Sequence, residues 1–190
     1  MNKKRRPPFL LRLVVPAAAL LAAVALGSPH QAHAYGWSTV TVDAEADVSS
    51  GSIAVDANGD PMISYQDATD RSLKFATCDM SATGCDASGD WTTKVAVDST
   101  GTVGLYTSIA VDGNGDPMIS YHDYSNQNLK FAICDRSESI GGNCDQTADW
   151  STVTVDAEGN VSRYLSLALN DSGDPMISYF DFGLKFAICD

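Results

Sequence analysis

Beyond its first 34 residues the chain is poor in the side chains most enzymes rely on: one histidine (His122), three arginines (Arg71, Arg136, Arg163) and three glutamates (Glu45, Glu138, Glu158). A single histidine offers no repeated Ser-His-Asp set. The three glutamates all fall in loop-like stretches, so no acid–base constellation is expected. No cofactor is called for. Positive charge is scarce as well. Residues 35–190 hold seven basic against 24 acidic side chains, a net charge of −17. Such a surface repels phosphate backbones and anionic membranes, which excludes nucleic-acid partners and lipid surfaces. The excess acid reads as solubility outside the cell, or alternatively as cation binding. No segment after residue 35 sustains helical periodicity; strand formers alternate with turn formers instead, which points to an all-β fold.

The only long apolar run is N-terminal. Lys3, Lys4, Arg5 and Arg6 precede an apolar stretch from Leu13 to Leu26, followed by Ala32-His33-Ala34. This is the pattern of a secretory signal peptide over residues 1–34, cleaved after Ala34. As a membrane anchor the run is interrupted by Pro16 and falls short of the roughly 20 residues a span needs. The expected location is therefore secreted, with no membrane insertion.

What the chain does have is repetition. Gly-Asp-Pro-Met-Ile-Ser-Tyr occurs at Gly59–Tyr65, Gly115–Tyr121 and Gly173–Tyr179. Each copy follows an apolar run ending in Asp or Asn: Ser52 to Asp56, Ser108 to Asp112, Ser166 to Asn170. Each is followed by a Leu-Lys-Phe-Ala run, at Leu73, Leu129 and Leu184, and a tryptophan (Trp37, Trp91, Trp150) opens each unit. The domain expectation is repeat units at 37–90, 91–149 and 150–190 within a single region, 35–190.

In the second unit the reading is four short strands: Trp91 to Val97, Thr107 to Val111, Met118 to His122 and Leu129 to Cys134. The Asp112-Gly113-Asn114-Gly115-Asp116 turn tolerates positive φ, and Pro117 suits the first position of a strand. Four antiparallel strands per unit is the pattern of a propeller blade, with three blades present and the propeller incomplete. A sandwich of stacked sheets is the competing architecture, but it needs non-equivalent strands.

The motif Ile-Ala-Val-Asp-x-Asn-Gly-Asp-Pro-x-Ile-Ser-Tyr-x-Asp resembles the repeats of secreted bacterial β-propellers. It is broadly similar to NHL-type and sialidase-like Asp-box blades and covers nearly all of residues 37–190. The literal Asp-box pattern is absent, and the NHL pattern is met in part. The resemblance implies that the run before each Asp-x-Asn-Gly turn is an innermost strand. Trp37 to Asp43 is then an outer strand standing alone, available to complete the last blade. A sialidase-like site would need three converging arginines; Arg71, Arg136 and Arg163 occupy non-equivalent repeat positions.

The five cysteines follow the repeat. Cys78 with Cys85, and Cys134 with Cys144, bracket short loops, each followed six residues later by tryptophan. In an exported protein these read as local disulfides; the alternative, a metal site, has no adjacent histidine. Cys189 occupies the place of Cys78 and Cys134 and is expected to be free. Either the sequence is part of a longer protein, or two chains pair as a homodimer that completes a six-bladed ring.

The expected binding face is the end of the strands that varies from unit to unit, lined by Gln66, Asp67, His122, Asp123, Tyr124, Phe180 and Asp181. Tyr-x-Asp recurs there at Tyr65, Tyr121 and Tyr179, and rings beside carboxylates suit sugars. The competing reading places the tyrosines in the core and the aspartates as hairpin caps. The Asp-x-Asn-Gly-Asp turns resemble calcium loops but lack the later glutamate, and turn chemistry alone explains them. The functional expectation is a secreted non-catalytic module that binds an extracellular glycan or protein, or acts as a scaffold. The alternative is a fragment of an extracellular, sialidase-like glycoside hydrolase.

Overall fold

A computed structural model of the chain describes residues 36–91, 93–138, 142–158 and 163–189. The expected export signal, residues 1–34, lies outside them. The backbone divides into residues 1–37 and 38–190, and the architecture concerns the second unit. Among the described residues no helix is long and apolar enough to cross a membrane.

The fold is all-β, in three antiparallel sheets of four, four and three strands, each ordered as the chain runs. The first sheet contains β1 (Val48–Val55), β2 (Pro61–Asp67), β3 (Ser72–Thr77) and β4 (Thr93–Asp98). The second contains β5 (Val103–Val111), β6 (Pro117–Asp123), β7 (Asn128–Cys134) and β8 (Trp150–Asp156). The third contains β9 (Arg163–Leu169), β10 (Pro175–Phe180) and β11 (Leu184–Ile188). Four strands were expected in every sheet. The third has three because the strand opened by Trp150 pairs with β7 of the second sheet, Cys134 opposite Trp150.

The turn chemistry explains the hairpins. Asp56 Oδ1 accepts from the amides of Asn58 (2.8 Å) and Asp60 (3.0 Å). Asp112 Oδ1 does the same for Asn114 (2.9 Å) and Asp116 (2.8 Å). Asn170 Oδ1 takes the amides of Ser172 and Asp174, both at 2.9 Å. An oxygen of the first side chain thus closes each turn, and Gly59, Gly115 and Gly173 supply the left-handed residue at φ near 90°.

Consecutive sheets meet along their first strands and pack face to face. Ser52 Oγ accepts from the Ile109 amide at 3.3 Å, and one sheet further on Ser108 Oγ accepts from the Leu167 amide at 3.0 Å. Between the first two sheets lie Leu73, Phe75 and Val97 on one side and Ile109, Ile119, Tyr121 and Trp150 on the other. Between the second and third, Met118, Leu129 and Phe131 meet Leu167, Ile177 and Tyr179. The second sheet is therefore covered on both faces: β6 is buried along its whole length, and Ile109-Ala110-Val111 of β5 is apolar without alternation.

The expected strand at Trp37 to Asp43 is not one: residues 38–43 form no ladder. A strand needs a partner edge, and none of the described strands lies beside it. The segment still packs, with Val40, Val42 and Ala46 against Tyr65 and Ala76 of the first sheet and Trp91, just ahead of β4. Cys78 is bonded to Cys85, and Cys134 to Cys144, each with Cα atoms 5.9 Å apart, as the spacing predicts. Cys189 is free and exposed. Two disulfides fit an oxidising compartment.

Candidate functional site

The antiparallel meander sends the Asp-x-Asn-Gly turns and the disulfide loops to one end of the strands and the β2–β3, β6–β7 and β10–β11 hairpins to the other. At the hairpin end the expected residues separate into two groups. Gln66 and Asp67 are buried and fully engaged. Gln66 Nε2 donates to the Val103 carbonyl at 3.0 Å, and its Oε1 accepts from the Ser49 hydroxyl. Asp67 accepts from the Thr69 amide at 2.9 Å and from Lys74 Nζ at 2.5 Å. Burial would raise the Asp67 pKa, but these bonds outweigh it and the carboxylate ends below its ordinary range. Asp123 caps the next hairpin, accepting from the Asn126 amide and side chain. Asp181 pairs with Lys185 at 2.5 Å.

The repeated tyrosines are core. Tyr65, Tyr121 and Tyr179 are buried, and their hydroxyls donate to Asp43, Asp98 and Asp156, each at 2.8 Å. Burial first, then the facing carboxylate, raises all three phenol pKa values, Tyr179 to about 12.

His122 behaves differently. It is 5% exposed, yet among the described residues neither ring nitrogen has a hydrogen-bond partner. At the matched position in the first sheet, Gln66 is satisfied; in the third, Phe180 has nothing to satisfy. Desolvation lowers the His122 pKa to about 4, with Asp123 opposing and Arg163 assisting, so the ring is neutral at pH 7. Neutral imidazole carries one donor and one acceptor.

Aromatic rings surround it. Tyr106 lies 6.2 Å and Tyr124 6.0 Å from His122, centroid to centroid, and Tyr164 lies 6.0 Å from Tyr106. The row Tyr164–Tyr106–His122–Tyr124 crosses from the third sheet to the second. Backbone irregularity presents two of its members. The β5–β6 register shifts between Leu105 and Ser108, and the β9–β10 register shifts at the matched place. The extra residues are Tyr106 (φ 54°) and Tyr164 (φ 62°). The β1–β2 ladder runs in register from Ser50 onward and carries a serine there. Positive φ at a non-glycine residue costs of the order of 1 kcal/mol or more, and bulges re-aim side chains.

The structure thus brings together His122 and Tyr124 from the expected set. Phe180 is exposed and pairs across the ladder with Arg163. Tyr106 and Tyr164 were missing from the expected site residues, although the signal was present: serine gives way to tyrosine at the same repeat position (Ser50, Tyr106, Tyr164).

At the opposite end a cleft of about 320 Å³ runs between the first two sheets, lined by residues including Asp56, Asp60, Asp79, Arg136 and Asp145. Three of its acids are committed to local structure: Asp56 closes its own turn, Asp60 accepts from the Met80 amide and Asp79 caps the short helix Met80–Thr83. Arg136 bridges to Asp56 at 3.6 Å.

No protein-family model matches the chain, and no curated protein does. Among solved structures it is similar to the intramolecular trans-sialidase from Ruminococcus gnavus, at 16% identity and a TM-score of 0.46. That match takes in 77% of this chain and 31% of the trans-sialidase chain, so the chain spans about a third of its neighbour's length.

Proposed function

We propose that the chain is a secreted, non-catalytic β-propeller module that binds carbohydrate through the row Tyr164–Tyr106–His122–Tyr124. The observation that carries this reading is His122: a buried imidazole with both nitrogens unpaired, beside rings that reach solvent. Leaving a buried polar group unpaired costs about 1–3 kcal/mol, a cost a ligand hydroxyl would remove. Neutral imidazole is matched to sugar hydroxyls, which both donate and accept. Exposed tyrosine rings supply flat apolar surface for the C–H faces of a pyranose. Tyr106, on its bulge, is the side chain whose rotation would open a path to the imidazole.

The ring arrangement is supported by the way first strands adjoin from sheet to sheet, and by the recurrence of one set of contacts at each junction. Export is supported by the N-terminal charge and apolar pattern and by the disulfides. The binding reading outranks hydrolysis because the hairpin-end carboxylates of Asp67 and Asp123 are engaged in internal bonds, and Asp181, whose other oxygen is buried without a partner among the described residues, is ion-paired with Lys185.

Glycan-array binding followed by calorimetry on the strongest hit tests the proposal. Tyr124→Ala with Tyr164→Ala should weaken binding at least tenfold, and His122→Phe should weaken it while leaving the fold intact. No reducing sugar should be released on long incubation. Turnover abolished by one acidic substitution would replace this reading with the hydrolase. Binding indifferent to all three substitutions would move the site elsewhere.

A further inference from the structure

The two junctions between sheets are not tied alike. At the first, three side-chain hydrogen bonds cross from sheet to sheet. Ser50 Oγ donates to the Gly104 carbonyl at 3.2 Å, Gln66 Nε2 to the Val103 carbonyl at 3.0 Å, and the Thr107 hydroxyl to Ser64 Oγ at 2.8 Å. At the second junction the repeat equivalents of Ser50, Gln66 and Thr107 are Tyr106, His122 and Leu165. Leucine offers no hydroxyl, so Ser120, which stands where Ser64 does, is buried without a partner among the described residues, as is His122. Rings meet where the first junction has polar ties. Tyr106 of β5 and Tyr164 of β9 face each other across the second junction with centroids 6.0 Å apart and planes inclined by 47°, within the range of aromatic contact.

Both rings reach solvent, Tyr164 at 78% exposure and Tyr106 at 36%. The other described tyrosines lack either access or a second phenol. Tyr65, Tyr121 and Tyr179 are buried, with their hydroxyls bonded to carboxylates. Tyr124 is exposed, but the ring it meets is the imidazole of His122. Among the described residues, then, one pair of phenols is both adjacent and open to a reagent. Rotation about the side-chain torsions of two such surface residues brings their ring edges together.

We infer that Tyr106 and Tyr164 form a site of oxidative cross-linking, joined by a carbon–carbon bond between the ring positions ortho to their hydroxyls. The co-reactant is a one-electron oxidant of the haem-peroxidase class, with hydrogen peroxide as the terminal acceptor. Tyr164, the more exposed, gives up one electron and its phenolic proton and becomes a phenoxyl radical; Tyr106 then does the same. The two radicals pair to make the new bond, and the hydrogens at the joined carbons move to the two oxygens, restoring both phenols. Two tyrosines and one hydrogen peroxide thus give one biphenol and two waters, and the chain loses two hydrogen atoms. The bond ties β5 to β9 at the junction where Ser120 and His122 have no partner, and it bridges residues 58 apart in the chain. The inference goes beyond the proposed carbohydrate binding and is independent of what the row of rings binds.

Treating the full chain with peroxidase and hydrogen peroxide should produce the blue fluorescence of a biphenol in the single-chain band of a denaturing gel. The product should weigh two hydrogens less and yield, on proteolysis, a linked peptide pair holding Tyr106 and Tyr164. Its yield should not change on dilution, because both rings belong to one chain. Closing so long a loop should raise the thermal midpoint by about 10 °C on the chain-entropy model. Tyr106→Phe and Tyr164→Phe, which keep the rings and remove the hydroxyls, should each abolish the product with unchanged circular dichroism. Biphenol confined to chain-to-chain species would overturn the inference, as would a link that maps to Tyr124 or one that persists in either variant. So would the absence of product while a free tyrosine peptide in the same tube reacts. Cross-linking in a chain that binds no glycan would remove only the ligand reading.

Discussion

Tyr121 of the second sheet donates its hydroxyl to the Asp98 carboxylate of the first, at 2.8 Å, and Lys130 from the neighbouring strand reaches the same oxygen. Asp98 is buried; desolvation would raise its pKa, but Lys130, the Thr100 amide and Tyr121 together bring it below the ordinary carboxylate range. The same tyrosine–aspartate bond recurs as Tyr179–Asp156, with Lys185 at 3.3 Å. One carboxylate at the end of each fourth strand thus ties its sheet to the next. Tyr121→Phe should lower unfolding free energy by about 1 kcal/mol, the worth of one hydrogen bond. Asp98→Ala should cost about 3 kcal/mol, because Lys130 and Tyr121 both lose their partner. Urea denaturation checks both, and equal losses would mean that Lys130 contributes nothing.

His122 makes stability depend on pH. Its folded pKa, about 4, lies below the ordinary 6.5, so the unfolded chain takes up the proton first as pH falls. The penalty is absent above about pH 6.5, grows between 6.5 and 4, and is complete below 4, reaching at most about 3 kcal/mol. His122→Gln should flatten the thermal midpoint across that window. An equally steep profile in the variant would place the dependence elsewhere.

The disulfides close loops with sequence separations of 7 and 10 residues. Replacing either pair by alanine should cost roughly 2.5 kcal/mol on the chain-entropy model. Stabilities measured with and without reductant should bring the parent protein to the level of the double pair variant. A parent unaffected by reductant would contradict this.

Gly104 marks a close approach between sheets. Its φ is 91°, and a Cβ there would lie 2.9 Å from the Cα of Leu73. Gly104→Ala should destabilise by more than about 2 kcal/mol, since left-handed strain and a backbone collision add. Gly113→Ala, with nothing within 4 Å of the added carbon, is the control and should be close to neutral.

Much of this fold is legible in the chain alone because its determinants are local. An aspartate that closes its own turn, a glycine that takes positive φ, and two cysteines across a short loop need no distant partner. Repetition then multiplies the signal, so the all-β class, the hairpins and both disulfides follow from residue order. The allotment of strands to sheets does not. Trp150 opens a unit in sequence but closes a sheet in space, because ladder pairing depends on which edge is within reach. Nor could residue order separate Asp67 and Asp123, engaged in internal bonds, from His122, whose nitrogens have no partner. Burial and hydrogen bonding depend on what the neighbouring sheet brings to each position. The row of rings was hidden for the same reason: Tyr106 and Tyr164 stand 58 residues apart in the chain, and only the packing of one sheet on the next, with a bulge in each, sets their centroids 6.0 Å apart.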